Sequence, residues 1–508
     1  MISSGVGTTY GGMTMRSLWL DTAPEIPAEP FSPGAGFDSV VVGGGLTGMT
    51  TALLLARAGH KVAVLEARRA GAVTTGNTTA KLSLLQGTGL SRITSHHDAE
   101  LARAYVTGNR EGQSWILRFC DENGVGYERR DAVNYAVTDS GAKSLDAEHE
   151  ACTQAGLGTE LGNASTLPFP VRRTLRLADQ AQFHPLEVLA ALASELRRHG
   201  GRLFEGVRVQ GASTPKSGGV ELTTDAGAVT ARNVVLATGI PILDRGGYFA
   251  VLKPQRSYCI ALEVTDRVPP EMYLSVDTPT RSLRTARVGG RDYLIVGGNG
   301  HKVGHHSNTQ GLVDDLTRWA REYFPTARPA YSWSAQDYQP AAAVPYVGKV
   351  PAGGGHIYAA TGYNKWGMTN AVAASLALSA KILGGHMPWA DTLYRTRVTP
   401  VDALSTARVN AEVGLEMLTG WVSGLAKTAP ASPPEGQGVV VREGRSPIGV
   451  CTVDGVEHRV SAVCPHLRGI VSWNTAERTW DCPLHGSRFA ADGTVLEGPS
   501  TSNLGSGI

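Results

Sequence analysis

The sequence predicts an α/β domain on a parallel sheet, interrupted by an antiparallel layer and followed by a small all-β domain. Three observations carry this expectation. A β-branched run, a glycine turn, an apolar helical pattern and a second β-branched run follow one another between residues 38 and 66. Between about 250 and 350 the texture changes to separated strand-like pieces. Beyond Lys427 the chain holds no lysine and breaks into short strands divided by turns. At about 150 residues per domain, 508 residues allow two to four domains.

Taken in order, residues 1–36 read as a polar arm without the apolar core of a secretory signal. Asp38-Ser-Val-Val-Val-Gly reads as a buried strand, Leu46 to Ala58 as a helix stopped by Gly59, and Lys61 to Glu66 as a second strand. Helical and strand patterns alternate through Leu186 to Arg198 (helix), Arg202 to Val209 (strand) and Val234 to Ala237 (strand). Ser257 to Val264 and Tyr293 to Val296 belong to the antiparallel layer. Ile357 to Ala360 returns to a buried strand and feeds a helix with Val372, Leu376, Ser379 and Leu383 on one face, ended by Gly384-Gly385. A further helix is expected from Val401 to Leu425. The proline-bearing segment 427–438 reads as a linker. The all-β domain then runs through strands Gly438 to Glu443, Pro447 to Val453, Val456 to Val463 and Gly469 to Trp473.

Composition narrows the function classes. Lys+Arg of 47 against Asp+Glu of 45 leaves +2, which gives no field to attract nucleic acid or anionic lipid. From Gly436 onward six arginines face seven acids, so the small domain is near neutral as well. No run approaches the roughly 20 apolar residues of a membrane span. Six cysteines are too few for a disulfide framework in so long a chain. They fit a reducing, cytoplasmic setting, where each thiol is explained by packing, metal or catalysis.

Gly43-Gly44-Gly45-Leu46-Thr47-Gly48 is a G-x-G-x-x-G run that follows a strand and opens a helix. The first glycine permits the turn, the second lets the backbone approach a diphosphate, and the third lets helix and strand pack. Glu66 lies 18 residues beyond Gly48, at the end of the second strand, where a carboxylate accepts hydrogen bonds from ribose hydroxyls. The spacing therefore predicts a dinucleotide site. Together with Thr78-Thr79-Ala80-Lys81, Val234-Val-Leu-Ala-Thr238-Gly239 and Ala360-Thr361-Gly362-Tyr363-Asn364-Lys365-Trp366-Gly367-Met368-Thr369, this run resembles the FAD-dependent glycine/D-amino-acid oxidase family over roughly residues 15 to 425. The resemblance implies an FAD-binding Rossmann-like domain with an inserted antiparallel substrate sheet. It implies an adenine contact near Val207 and a flavin contact at the helix start Trp366-Gly367-Met368-Thr369. No second G-x-G-x-x-G stands in a β-α-β setting, which disfavours a reductase with paired nucleotide domains.

Cys464-Pro465-His466 and Cys482-Pro483-Leu484-His485 form C-x-H and C-x-x-H halves with 15 residues between them. Two thiolates and two imidazoles can bind iron–sulfur or zinc, although structural zinc usually takes like ligands in each knuckle. The halves, with the following Gly486-Ser487-Arg488-Phe489, resemble the Rieske [2Fe–2S] family. That resemblance gives Cys464 and Cys482 to one iron and His466 and His485 to the other. Respiratory-type members carry an extra cysteine in each loop, but here Gly469-Ile470 and Leu484 stand instead, as in the disulfide-free branch.

The two resemblances imply an arm (1–36), an oxidoreductase domain (37–426, substrate sheet about 250–350), a linker (427–438) and a Rieske domain (439–508). They also imply oxidation of an amine or amino acid at its C–N bond, by hydride transfer to flavin. Electrons would then leave through the cluster to an unidentified external acceptor. The alternative is a flavo-iron–sulfur protein that only relays or senses charge. Candidate catalytic residues are Lys365, Arg256 and His301, with Tyr258, Lys302 and Trp366 nearby in sequence. An arginine suits a carboxylate clamp, and a lysine suits negative charge on reduced flavin.

Overall fold

The computed structural model describes residues 9–10, 13–215, 218–243, 246–395 and 432–506. The helix expected over 401–425, and residues 427–431 of the expected linker, lie outside the described residues. The first layer is a parallel sheet. Gly36–Val42 sits between Val62–Glu66 and Gly227–Leu236, with Arg202–Glu205 and Ile357–Thr361 beyond them. Side chains alternate across this sheet. Val41, Val62, Val64 and Val235 pack under the helices Leu46–Arg57, Pro185–Arg198 and Gly367–Ile382, while Val40, Ala63, Leu65, Val234 and Leu236 fill the other face. Burial on both faces explains why these strands read as unbroken β-branched runs. Gly59, at φ +86°, closes the first helix as expected.

The second layer is built on long antiparallel strands. Leu252–Glu263 lies between Arg291–Lys302 and Arg328–Pro340. The layer also takes in Tyr127–Ala136 and Arg173–Phe183, well before residue 250. Without Tyr127–Ala136 the strand Met272–Ser275 would present an open edge, and Tyr273 and Leu283 would lose their packing against Val133 and Tyr135.

Two local expectations change. The N-terminal segment is not wholly a polar arm, because Leu18 and Trp19 are fully buried and the Trp19 indole donates to the Thr78 carbonyl at 2.7 Å. The strand expected from 202 to 209 stops at Glu205, because Gly206 turns at φ +69° and Val207 N–H donates to the Glu66 carbonyl.

The C-terminal residues form a three-stranded sheet (Gly438–Glu443, Ser446–Val453, Val456–Ser461) and a four-stranded one (Ser472–Asn474, Thr479–Asp481, Arg488–Phe489, Val495–Glu497). Trp473, Trp480 and Phe489 pack in their common core. The strand expected at 469–473 is shifted to Ser472–Asn474, since the Gly469 carbonyl is taken by Cys464 N–H in a loop. Among the described residues no helix is long and apolar enough to cross a membrane.

Candidate functional site

A cavity of about 490 Å³ lies between the two layers and receives the end of the strand Gly36–Val42. Its glycines are sterically required. At Gly43 (φ +110°) a Cβ would stand 2.4 Å from the Ala237 carbonyl oxygen, and at Gly48 it would stand 1.9 Å from that of Gly43. The helix that begins after Gly45 turns its positive end toward this space, which suits a diphosphate. Glu66 accepts N–H bonds from Gly44 (2.7 Å) and Arg68 (2.8 Å), which fix its carboxylate at the cavity wall. Burial raises the pKa of Glu66 and those two amides pull it back down.

Most residues predicted to hold the cofactor line this cavity: Gly43, Gly45, Leu46, Thr47, Glu66, Thr79, Lys81, Val207, Thr238, Gly239, Trp366, Gly367 and Met368. Four do not. Gly48 serves helix–strand packing, Ala80 is buried at φ +54°, Gly362 turns the chain against Leu252 and Pro340, and Thr369 bonds Asn109 instead. Lys81 is fully enclosed, donating 2.6 Å bonds to the Tyr273 carbonyl and the Ser282 hydroxyl. Burial, with Arg284 adding to it, pushes its pKa down to about 7. The cradle thus offers bare glycine backbone, a helix start, a ribose-level carboxylate and an apolar lining, and it fits a dinucleotide.

Of the catalytic candidates only Lys365 reaches the cavity. It adopts φ +73°, its N–H donates to the Asp337 carboxylate, and Gly300 leaves room for its ammonium, since a Cβ there would lie 2.9 Å from Nζ. Burial lowers the Lys365 pKa and Asp337 opposes that shift. Asp337 carried no sequence signal, yet it lines the cavity and burial pushes it up to about 6.

Arg256 is corrected. Along Leu252–Glu263, Gln255, Ser257, Tyr258 and Cys259 contribute to the cavity wall and Arg256 does not, its guanidinium lying on the face that meets the small domain. There it is fully buried, 3.6 Å from the Asp481 carboxylate of the small domain, and bonded to Ser334 (2.7 Å) and Gln336 (2.6 Å). His301 pairs with Arg256 across the sheet and is likewise outside the cavity, stacked on Tyr258 at 5.7 Å. Tyr258 lines the cavity and Lys302 does not.

In the small domain two six-residue loops take the same shape. Cys464 N–H donates to the Gly469 carbonyl and Cys482 N–H to that of Ser487. Arg468 and Gly486 occupy the matching left-handed position, at φ +59° and +78°. This pseudo-symmetry brings the buried Cys464 and Cys482 thiols into hydrogen-bond contact, so one ionises ahead of the other. The His466 and His485 rings lie 5.1 Å apart. A pair of neighbouring thiols and a pair of neighbouring imidazoles are the donor types a two-iron cluster takes. Among the described residues no three such side chains converge as a single ion would require. The six cysteines are all unpaired.

The small domain docks on the face of the antiparallel sheet opposite the cavity. Gln336 Nε2 donates to the Gly486 carbonyl (2.8 Å), Ser472 Oγ to that of Gly304 (3.0 Å), and Tyr258 meets Asn474 at 3.5 Å. A Cβ on Gly304 would stand 2.8 Å from Pro483 of the second cluster loop. Phe249 packs edge-on against both His466 and His485, at 6.2 and 5.6 Å. Arg488 is buried among Glu477, Glu497 and Asp481, which hold its pKa up against the burial that would lower it. Sequence spacing gave no sign of this network. Nor did it point to Arg68 and Arg208, which line the cavity near Glu66.

Comparison with known proteins agrees with this geometry. Residues 38–380 match the family described as FAD dependent oxidoreductase (DAO), and residues 427–506 match the Rieske [2Fe-2S] domain. The chain is 30% identical over 492 residues to YhfW of Bacillus subtilis (strain 168), named as a Rieske 2Fe-2S iron-sulfur protein, covering 95% of this chain and 96% of that one. Among solved structures it resembles glycine oxidase from Geobacillus kaustophilus, with a TM-score of 0.58 and 17% identity over 72% of this chain and 98% of that one. It also resembles L-proline dehydrogenase from P. horikoshii, with a TM-score of 0.58 and 18% identity over 72% and 98%.

Proposed function

This chain belongs to the DAO family of FAD-dependent oxidoreductases and carries a Rieske domain, so it binds FAD and a [2Fe–2S] cluster; from that premise we propose that it oxidises an amine or amino acid and passes the electrons through the cluster to an external acceptor. FAD supplies the two-electron oxidation of the C–N bond and the cluster supplies a one-electron outlet. The observation that carries the reading is the shared wall. The strands Leu252–Glu263 and Arg328–Pro340 face the cavity on one side and hold the cluster domain on the other. Residues of this chain perform the remaining tasks. Gly43, Gly45 and Glu66 would hold the dinucleotide, and Cys464, His466, Cys482 and His485 would hold the cluster. Lys365 and Asp337 place one cation and one titratable carboxylate beside the reacting space. The structural neighbours, a glycine oxidase and an L-proline dehydrogenase, support a C–N donor. The six free thiols support a reducing compartment.

The test is anaerobic addition of amines and amino acids to the FAD-loaded protein while flavin absorbance is followed. Bleaching by at least one such donor is expected. Failure of every donor class to bleach the flavin would leave the relay or sensor reading in its place.

A further inference from the structure

Part of the cavity wall comes from the other domain. Leu496, Glu497, Gly498, Ser500 and Thr501 line the same space as Glu66, Arg68 and Val207. Their segment is fastened from both sides. Arg208 Nη2 donates to the Val495 carbonyl (3.0 Å) and Tyr338 OH to that of Gly498 (3.4 Å). Ser500 N–H donates to Ser487 Oγ (3.0 Å), and that hydroxyl also bonds Cys464. Glu497 accepts a bond from Arg488 at 3.0 Å, and its charge opposes the lowering of the Arg68 pKa by burial. This end of the cavity therefore presents Arg68 and Arg208 beside the carboxylates of Glu66 and Glu497, apolar Val207 and Leu496, and small hydroxyl side chains. That set suits the ribose and the flat aromatic base of a dinucleotide whose diphosphate lies at the helix start after Gly45.

We propose that residues 496–501 of the cluster domain complete the FAD site, so that the cofactor is held by both domains and is released only when the cluster domain lifts. The inference rests on the cavity being the FAD site. It adds that a dinucleotide site drawn by family likeness on the first domain is unfinished without the second. It also couples cofactor retention to the loop that carries Ser487 and, through it, to Cys464.

The test uses the full-length protein loaded with FAD and cluster, and measures FAD dissociation by the fluorescence of released flavin after dilution. Thr501→Trp fills the cavity from the cluster-domain side, and Leu496→Ala removes apolar wall. Each is expected to speed FAD release by about tenfold or more, the equivalent of losing about 1.4 kcal/mol of binding, while the cluster EPR signal stays unchanged. Thr494→Trp, at an exposed site on the same domain, should leave the rate at the wild-type value. If Thr501→Trp does not fold, as judged by the cluster signal, Leu496→Ala decides alone. Val207→Trp separates the two readings, because Val207 lines the same end of the cavity from the first domain and a larger side chain there fills the space a bound dinucleotide needs. Faster FAD release in Val207→Trp with an intact cluster signal, and wild-type release in the cluster-domain variants, would overturn this inference alone. Wild-type release in Val207→Trp would overturn the FAD site as well.

Discussion

Asp337 and Lys365 show how the cavity sets the chemistry of single residues. Burial holds the Asp337 pKa at about 6, above the ordinary 3.8. Its raised value means that whatever stability it lends is complete below the ordinary carboxyl range and is lost as pH rises through about 6. The same ionisation places a negative charge beside Lys365 above that pH. The rate of flavin reduction by substrate is therefore expected to inflect near pH 6, and Asp337→Asn should remove that inflection; an unchanged profile would detach Asp337 from the reaction. At the cluster, His466→Cys replaces a neutral imidazole by an anionic thiolate. Redox titration should find the potential lowered, and an unmoved potential would argue against His466 as an iron ligand. The meeting of His466 and His485 was legible in the sequence, since their C-x-H and C-x-x-H halves are rare and closely spaced. Asp337 was not, because an acid in a β-strand gives no sign of which face it takes or what closes over it.

At the scale of elements, the strand Leu252–Glu263 joins the two halves of the molecule. One face lines the cavity with Ser257 and Cys259, and the other presents Arg256 to Asp481. Arg256→Leu removes a fully buried cation but leaves Asp481 its contacts with Asn474 (2.9 Å) and Arg488 (3.6 Å). A loss of about 3 kcal/mol, the low end for breaking a buried pair, is expected in chemical denaturation. Slower electron transfer between the domains should accompany it, since Gln336 loses its partner as well. The β-α-β unit at 36–66 was legible because its apolar period, glycine turn and capping glycine all point to one structure. The antiparallel layer was legible only in its central strands. Its outer members, Tyr127–Ala136 and Arg173–Phe183, are set by pairing partners more than a hundred residues away in the first case and by each other in the second. Sidedness was the other illegible property. Arg256 and His301 sit in the right strands but on the face that meets the cluster domain.

In the molecule taken whole, the docked arrangement sets the two cofactor domains against one shared sheet. The sheet that walls the flavin cavity is the floor on which the cluster domain rests, and the segment 496–501 reaches back into the cavity itself. Such contacts between distant parts of a chain leave no periodic trace in sequence. The individual domains could be read there, but their union could not. The proposed activity requires that electrons taken from substrate pass from flavin to cluster within one chain. Rapid-freeze EPR during anaerobic reaction with a substrate that bleaches the flavin tests this. The signal of the reduced [2Fe–2S] cluster is expected to grow in after flavin reduction at a rate independent of protein concentration. A flavin that stays fully reduced beside a cluster that stays oxidised would refute intramolecular transfer.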